Sequence, residues 1–84
     1  MTTLEAALIK EQGVTFVVVA VRDSVIDNIN AAERMIGAMS VQFGCPAVLL
    51  GVHSHRARGR QDLVHFLSHV QASRLPWRKW SLAA

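Results

Sequence analysis

Two apolar runs dominate the hydrophobic pattern, Val14–Val21 and Ala47–Val52. The first is β-branched almost throughout, and neither alternates with polar residues, as expected of strands that are covered on both faces. Residues 22–46 separate the runs and carry a helical pattern. This segment is long enough for the helical crossover that connects two parallel strands. The sequence therefore predicts a parallel strand–helix–strand unit at the centre of the domain.

A first helix is predicted over residues 3–12. The segment Thr2–Glu5 places a hydroxyl N-cap three residues before a glutamate, which is the arrangement of a capping box. Apolar residues then follow at helical spacing, namely Leu4, Ala7 and Leu8.

The connecting segment predicts an amphipathic second helix. Apolar residues recur every three or four positions from Val25 to Phe43, and Ser24 with Asp27 can cap its beginning. Gly44 stands where a left-handed C-cap is wanted, and Pro46 prevents the helix from continuing. A third helix is predicted over residues 61–73.

The tail, residues 75–82, is predicted as an edge strand or as an extended segment packed by its tryptophans. The whole chain, residues 1–84, then forms a single α/β domain, a small α-β-α-β-α(-β) sandwich around a parallel β-α-β unit. Such a narrow sheet has exposed edges, and 51% of the residues are hydrophobic. We therefore expect a homo-oligomer, most simply a homodimer.

Charge and cysteine usage narrow the class of protein. The net charge is +3, and residues 45–84 hold six of the nine Lys and Arg residues against Asp62 alone. Cys45 is the only cysteine, so no intramolecular disulfide can form.

The longest uncharged apolar run, residues 14–21, is far shorter than the roughly 20 residues of a membrane span. We expect a cytoplasmic protein with no membrane association.

The basic half suggests nucleic-acid binding as an alternative function. Three arginines at every second position would lie on one side of an extended chain, about 6–7 Å apart, and arginine rows suit phosphates. Further along the chain, two tryptophans are interleaved with basic residues, and their rings could stack on bases. The predicted nucleic-acid-binding residues are Arg56, Arg58, Arg60, Arg74, Trp77, Arg78, Lys79 and Trp80.

The histidines suggest metal binding as a second alternative. His53 and His55 are two residues apart, and His65 and His69 are four residues apart. Such spacings on a strand and on a helix bring imidazoles together and occur in metal sites. No pattern of Cys, Asp or Glu completes a ligand shell around either pair.

Motifs of enzymes and of cofactor binding are missing. The glycines form no phosphate-binding loop of the dinucleotide or nucleotide type. Neither Ser24 nor Cys45 has a histidine and a carboxylate close by in the local pattern, so we predict no catalytic residues and no cofactor. The Arg22–Ser24 turn follows the first strand, and ligands collect at the carboxyl ends of strands in open parallel sheets.

The segment Phe43–Leu50, followed by Gln61–Leu67, resembles the second half of a thioredoxin-fold protein, where a cis proline precedes a strand and a last helix ends the domain. The resemblance covers less than half of the chain. Arg22–Val25 stands where that family carries its Cys-x-x-Cys, so a disulfide oxidoreductase role is not implied, and we do not assign the chain to the family.

These observations favour a non-catalytic protein-interaction module that self-associates and presents a surface to a protein partner, which the sequence does not identify. Nucleic-acid binding and metal binding by the paired histidines stay open as alternatives.

Overall fold

Five strands form one sheet with helices on both faces, in a computed structural model that describes residues 2–11 and 13–82. The strands are β1 Thr2–Glu11, β2 Val14–Val21, β3 Ala47–Gly51, β4 Ala57–Arg58 and β5 Arg78–Leu82. The helices are α1 Asp23–Asp27, α2 Ile29–Phe43 and α3 Gln61–Leu67, followed by a short 3-10 helix, Ala72–Arg74. The strand order across the sheet is β4-β3-β2-β1-β5. The predicted α/β class is confirmed.

The parallel pair predicted from the two apolar runs is also confirmed. β2 and β3 lie side by side in the same direction, with Val17 opposite Ala47 and Val21 opposite Gly51. α1 and α2 form the crossover between them. β2 is the middle strand of the sheet, which explains why its residues 16–19 are fully buried.

The hydrophobic core is divided by the sheet into two layers. On the α2 face, the helices α1 and α2 cover strand residues that include Ala6, Val17, Val19 and Leu49. On the α3 face, α3 and the segment before β5 cover residues that include Ala7, Phe16, Val18 and Val48. Alternate residues of each strand point to opposite faces, so a continuous apolar run such as Val14–Val21 contributes to both layers.

The predicted first helix over residues 3–12 is wrong, because Thr2–Glu11 forms strand β1. β1 pairs with β2 on one side and with β5 on the other, and the neighbouring residues Ala6 and Ala7 are fully buried on opposite faces. Gly13, with a φ of 79°, lies in the turn that lets β1 fold back on β2. Two hydrogen-bonded neighbours and burial on both faces outweigh the modest helix propensity of Ala, Leu and Glu. Residue 12 lies outside the described residues.

Two further boundaries differ from the sequence-based expectation. The second helix is interrupted at Asn28, whose extended backbone ends α1 and whose side-chain oxygen accepts a hydrogen bond from the Ala31 N–H at 3.1 Å. Asn28, and neither Ser24 nor Asp27, is therefore the cap of the long helix. The third helix ends at Leu67 and not at residue 73, since the chain continues into the 3-10 helix.

Other local predictions are confirmed. Gly44 ends α2 in the left-handed conformation with a φ of 67°, and Pro46 follows it. The tail forms an edge strand, β5. No peptide bond within the described residues is cis, so the bond before Pro46 lacks the feature that the thioredoxin resemblance implies.

Candidate functional site

The three arginines of the predicted row contact other residues of the chain. The Arg56 guanidinium pairs with the Asp27 carboxylate at the end of α1. The Arg58 Nε donates a hydrogen bond to the Ile26 carbonyl oxygen at 2.9 Å. Both contacts join the β4 region to α1.

The third arginine of the row, Arg60, contacts a different element. It pairs with Asp62 in the first turn of α3 at 2.8 Å. All three guanidinium groups therefore have partners within the chain, while the Arg56 and Arg60 side chains remain more than half exposed.

Both tryptophans bind the protein backbone through their indole N–H groups. Trp77 Nε1 donates to the Ala72 carbonyl oxygen at 2.7 Å, and Trp80 Nε1 donates to the Ala6 carbonyl oxygen at 3.2 Å. Each indole is half-buried, Trp77 on the α3 face and Trp80 on the α2 face. The structure thus separates the two rings and does not combine them into one stacking surface.

The cations near the tryptophans are exposed. The Arg78 guanidinium lies over the Trp80 ring, 5.9 Å from its centroid, and Phe43 packs edge-on against the same ring at 5.1 Å. Arg74 and Lys79 are exposed as well, the first at the end of the 3-10 helix and the second on β5. Cations and aromatic rings meet at Trp80, where packing against Phe43 restricts access to the ring.

The structure brings one histidine pair together. His65 and His69 are exposed, and their ring centroids are 4.8 Å apart. His53 and His55 lie in the connection between β3 and β4, a different part of the fold. Within residues 2–11 and 13–82, no group of three or more His, Cys, Asp or Glu side chains is arranged to hold a metal ion. The His65–His69 pair offers two imidazole ligands.

Cys45 contributes to packing. The side chain is half-buried against the core on the α2 face, and burial raises the pKa of its thiol above the ordinary value of 9.0. A thiol with a raised pKa stays protonated at neutral pH, which disfavours nucleophilic chemistry.

The carboxyl ends of the parallel strands carry a hydrogen-bonded clamp centred on Asp23. One carboxylate oxygen of Asp23, at the start of α1, accepts hydrogen bonds from the His53 N–H at 3.4 Å, the Ser54 N–H at 3.3 Å and the Ser54 hydroxyl at 3.2 Å. The turn after β2 is therefore joined to the loop after β3. The sequence had drawn attention to Arg22–Ser24, but the partners of Asp23 lie some 30 residues further along the chain.

A groove opens beside this clamp on the α3 face and has a volume of about 680 Å³. The carboxyl ends of β2 and β3 form one wall, and α3 with the segment before β5 forms the other. Glu5 and His55 stand among its polar residues. The apolar lining is supplied by Ala20, Leu50, Val52, Leu67, Val70, Ala72, Leu75 and Trp77. Sequence reasoning missed this groove because its residues come from five separate segments of the chain.

The edge strand β5 is a second candidate binding surface. Within the described residues, β5 pairs with β1 and is the last strand of the sheet on that side. The opposite edge, β4, is only two residues long. Edge strands carry a row of backbone N–H and C=O groups that can pair with another strand.

Comparisons with protein-family models, with curated proteins and with solved structures found no match to this chain. Among the helices of the described part of the chain, none combines the length and the apolar character required to cross a bilayer.

The clamp makes a prediction about acid stability. Partial desolvation raises the pKa of Asp23, but the hydrogen bonds from Ser54 and His53 together outweigh it and hold the pKa below the ordinary 3.8. A carboxyl with a lowered folded-state pKa contributes stability that is fully present above its unfolded pKa and is lost as the pH falls through its folded pKa. We expect Asp23→Asn to flatten the fall in the unfolding free energy at acid pH, as measured by urea titrations across a pH series.

Ser54→Ala serves as the graded comparison, because it removes the hydroxyl donor and leaves both backbone donors in place. Its pH profile should lie between those of the wild type and Asp23→Asn. Parallel profiles for all three proteins would show that the clamp contributes nothing to acid stability.

Proposed function

We propose that this domain is a non-catalytic protein-interaction module that self-associates, and that β5 of one copy pairs with β5 of a second copy. The observation that carries the proposal is the open edge of β5, a five-residue strand with one partner strand among the described residues. Closed dimers are the commonest oligomers of soluble proteins, and a twofold axis between two identical edges joins two sheets into one.

The charges on β5 are compatible with one particular register. In an antiparallel pair centred on Trp80, Arg78 of one copy stands opposite Leu82 of the other, and Lys79 stands opposite Ser81. In this register no two cations stand directly opposite each other. This favours the register, because like charges directly opposite are destabilising. The same edge could accept an extended segment of another protein with acidic residues opposite Arg78 and Lys79.

The opposite edge of the sheet is less suited to such pairing. β4 offers two residues, and the chain on either side of it is held by Arg56 and Arg60 in ion pairs with Asp27 and Asp62. Among the described residues, β5 is the one long edge of the sheet. Two copies that pair through it therefore form a closed dimer and not an open chain of copies.

The register can be tested through the charge of one side chain. Ser81→Lys places a lysine opposite Lys79 of the second copy twice in each dimer, and Ser81→Glu places a glutamate there twice. Each cross-strand pair contributes roughly 0.2–1 kcal/mol, so two pairs change the dissociation constant by about 2- to 30-fold. We expect weaker association for Ser81→Lys and tighter association for Ser81→Glu in sedimentation equilibrium at low ionic strength.

Thr15 provides a matched control because it is exposed on β2 and stands opposite Lys10 of the same chain. Thr15→Lys and Thr15→Glu repeat the two charge changes within one subunit, so they should alter thermal stability and leave the dissociation constant unchanged. A wild-type protein that sediments as a single chain at tens of micromolar contradicts the proposal. Equal dissociation constants for the two Ser81 variants contradict the proposed register.

The two alternatives have less support in the contacts of this fold. For nucleic-acid binding, the arginine row is engaged with Asp27, Ile26 and Asp62, and the indoles bind backbone carbonyls on opposite faces. For metal binding, the close approach of His65 and His69 supplies two ligands of the four that a structural zinc site uses.

A further inference from the structure

We infer that the groove on the α3 face is a binding site for a small aromatic molecule that carries an amino group. The inference goes beyond self-association, since the groove is lined by Glu5 of β1 and by residues of β2, β3, α3 and the segments next to them, while the proposed interface is the outer edge of β5. It depends on the position of the groove, the conformation of His55 and the charge of Glu5.

The position is where open α/β sheets bind ligands. Ala20 ends β2 on the groove side, and Leu50 and Gly51 end β3. The loops that follow these two strands leave a crevice at their carboxyl ends, and small-molecule sites are concave, mostly apolar and supplied with a few polar groups. At about 680 Å³, the groove falls within the usual range of such sites, roughly 300–1,000 Å³.

The apolar lining suits a flat ring. Trp77 has its indole N–H satisfied by Ala72, so the part of the ring that faces the groove offers apolar contact alone. Aromatic rings favour offset or edge-on contacts with one another. Val70 and Leu75 extend the same apolar surface on the side of Trp77.

His55 is held in a strained conformation at the groove. It is the one non-glycine residue within the described ranges with a positive φ, 58°, a region that costs a bulky side chain free energy. Its N–H donates to the Gly51 carbonyl oxygen at 3.0 Å, and the adjoining Ser54 is fixed by Asp23. The backbone of His55 is thus fixed at the groove, and its imidazole is one of the polar groups of the lining.

The charge of the site selects the ligand. Glu5 is the one carboxylate among the groove residues, and it is exposed on β1. Among the described residues, no Lys or Arg side chain lines the groove, although the chain as a whole carries a net charge of +3. Lys79 stands opposite Glu5 on β5, but it lines a neighbouring depression and forms no ion pair with Glu5. A ligand ammonium group therefore finds an opposite charge here, while a ligand carboxylate does not.

The test compares three phenyl compounds of similar size, 2-phenylethylamine, 2-phenylethanol and 3-phenylpropanoate. Binding is followed by amide and indole chemical shifts, including the Trp77 indole N–H. We expect the amine to bind roughly two- to five-fold more tightly than the alcohol, which is the range of an exposed ion pair, and the carboxylate to bind most weakly. Shifts should centre on Val70, Ala72 and Trp77.

Two substitutions locate the effect. Glu5→Gln should remove the preference for the amine and leave binding of the alcohol unchanged. Glu11→Gln is the matched control, because Glu11 lies on the same strand and on the same face of the sheet but outside the groove. That variant should retain the preference.

A third variant, Ala20→Leu, fills the groove from β2 and should weaken all three compounds together. Its folding is checked by the dispersion of its amide spectrum, and Ser68→Leu on the opposite wall provides a second filled groove.

Three results would each overturn the inference. They are equal affinities for the three compounds, a preference that survives Glu5→Gln, and no shifts in the groove at millimolar ligand. Sedimentation of the same variants reports separately on self-association.

Discussion

Phe16→Ala should cause one of the largest losses of stability that a single substitution can produce in this domain. Phe16 is fully buried in the middle strand, and its ring meets Phe66 edge-on with centroids 6.0 Å apart. Truncating a buried phenylalanine removes about 3–5 kcal/mol through lost transfer free energy and the cavity that remains. Since native proteins are stable by only about 5–15 kcal/mol, this loss is a substantial part of the margin.

The measurement is the free energy of unfolding in urea at one fixed protein concentration, because a self-associating protein is stabilised by mass action. Val41→Ala is the control, since Val41 is 85% exposed on α2. It should change the free energy by less than about 0.5 kcal/mol. Similar losses for both variants would mean that Phe16 does not lie in the core.

Gly51→Ala should destabilise the domain by about 1–3 kcal/mol, the usual cost of inserting a methyl group into filled space. A Cβ atom at Gly51 would lie 2.6 Å from the Asp23 carboxylate oxygen and 2.7 Å from the Ser54 hydroxyl oxygen. The two side chains must move apart to admit it, which breaks the clamp between the turn after β2 and the loop after β3. Thermal and urea unfolding measure the loss.

A double-mutant cycle separates the clamp from other effects. In an Asp23→Ala background the closest obstacle is gone, so Gly51→Ala should cost clearly less there, with a coupling of roughly 0.5–3 kcal/mol. Gly37→Ala is the control of opposite sign. Nothing lies within 4 Å of a Cβ at that exposed helical position, and alanine should stabilise the domain by about 0.5–1 kcal/mol. Strict additivity of the two substitutions would refute the contact.

The parallel centre of the fold was predictable because the two apolar runs are unusual. A strand covered on both faces is apolar almost throughout, and Val14–Val21 departs from that pattern at the exposed Thr15. β1 was not predictable by the same argument, since Ala, Leu and Glu favour helices and its polar residues obscure the alternation. A weaker signal was present in the spacing of Leu4, Ala6 and Leu8 and in Gly13 as a hairpin turn residue.

The candidate sites show where local sequence reasoning ends. The His65 and His69 rings lie close together, although α3 ends at Leu67 and His69 lies in the turn that follows, where its N–H donates to the Phe66 carbonyl oxygen at 3.1 Å. The arginine row could not be interpreted without Asp27, which lies on another element and pairs with Arg56. The groove is formed by five segments of the chain. The strand order brings these segments together, and no local sequence motif predicts it.

The position of β1 between β2 and β5 affects how the chain folds while it is being synthesised. The hairpin with β2 can close as soon as both strands have emerged, but β5 follows much later in the chain, because Ala6 pairs with Arg78. Pairings so distant in sequence slow folding. Until β5 has been synthesised, the growing chain therefore presents β1 as an exposed edge strand with which another nascent chain can pair.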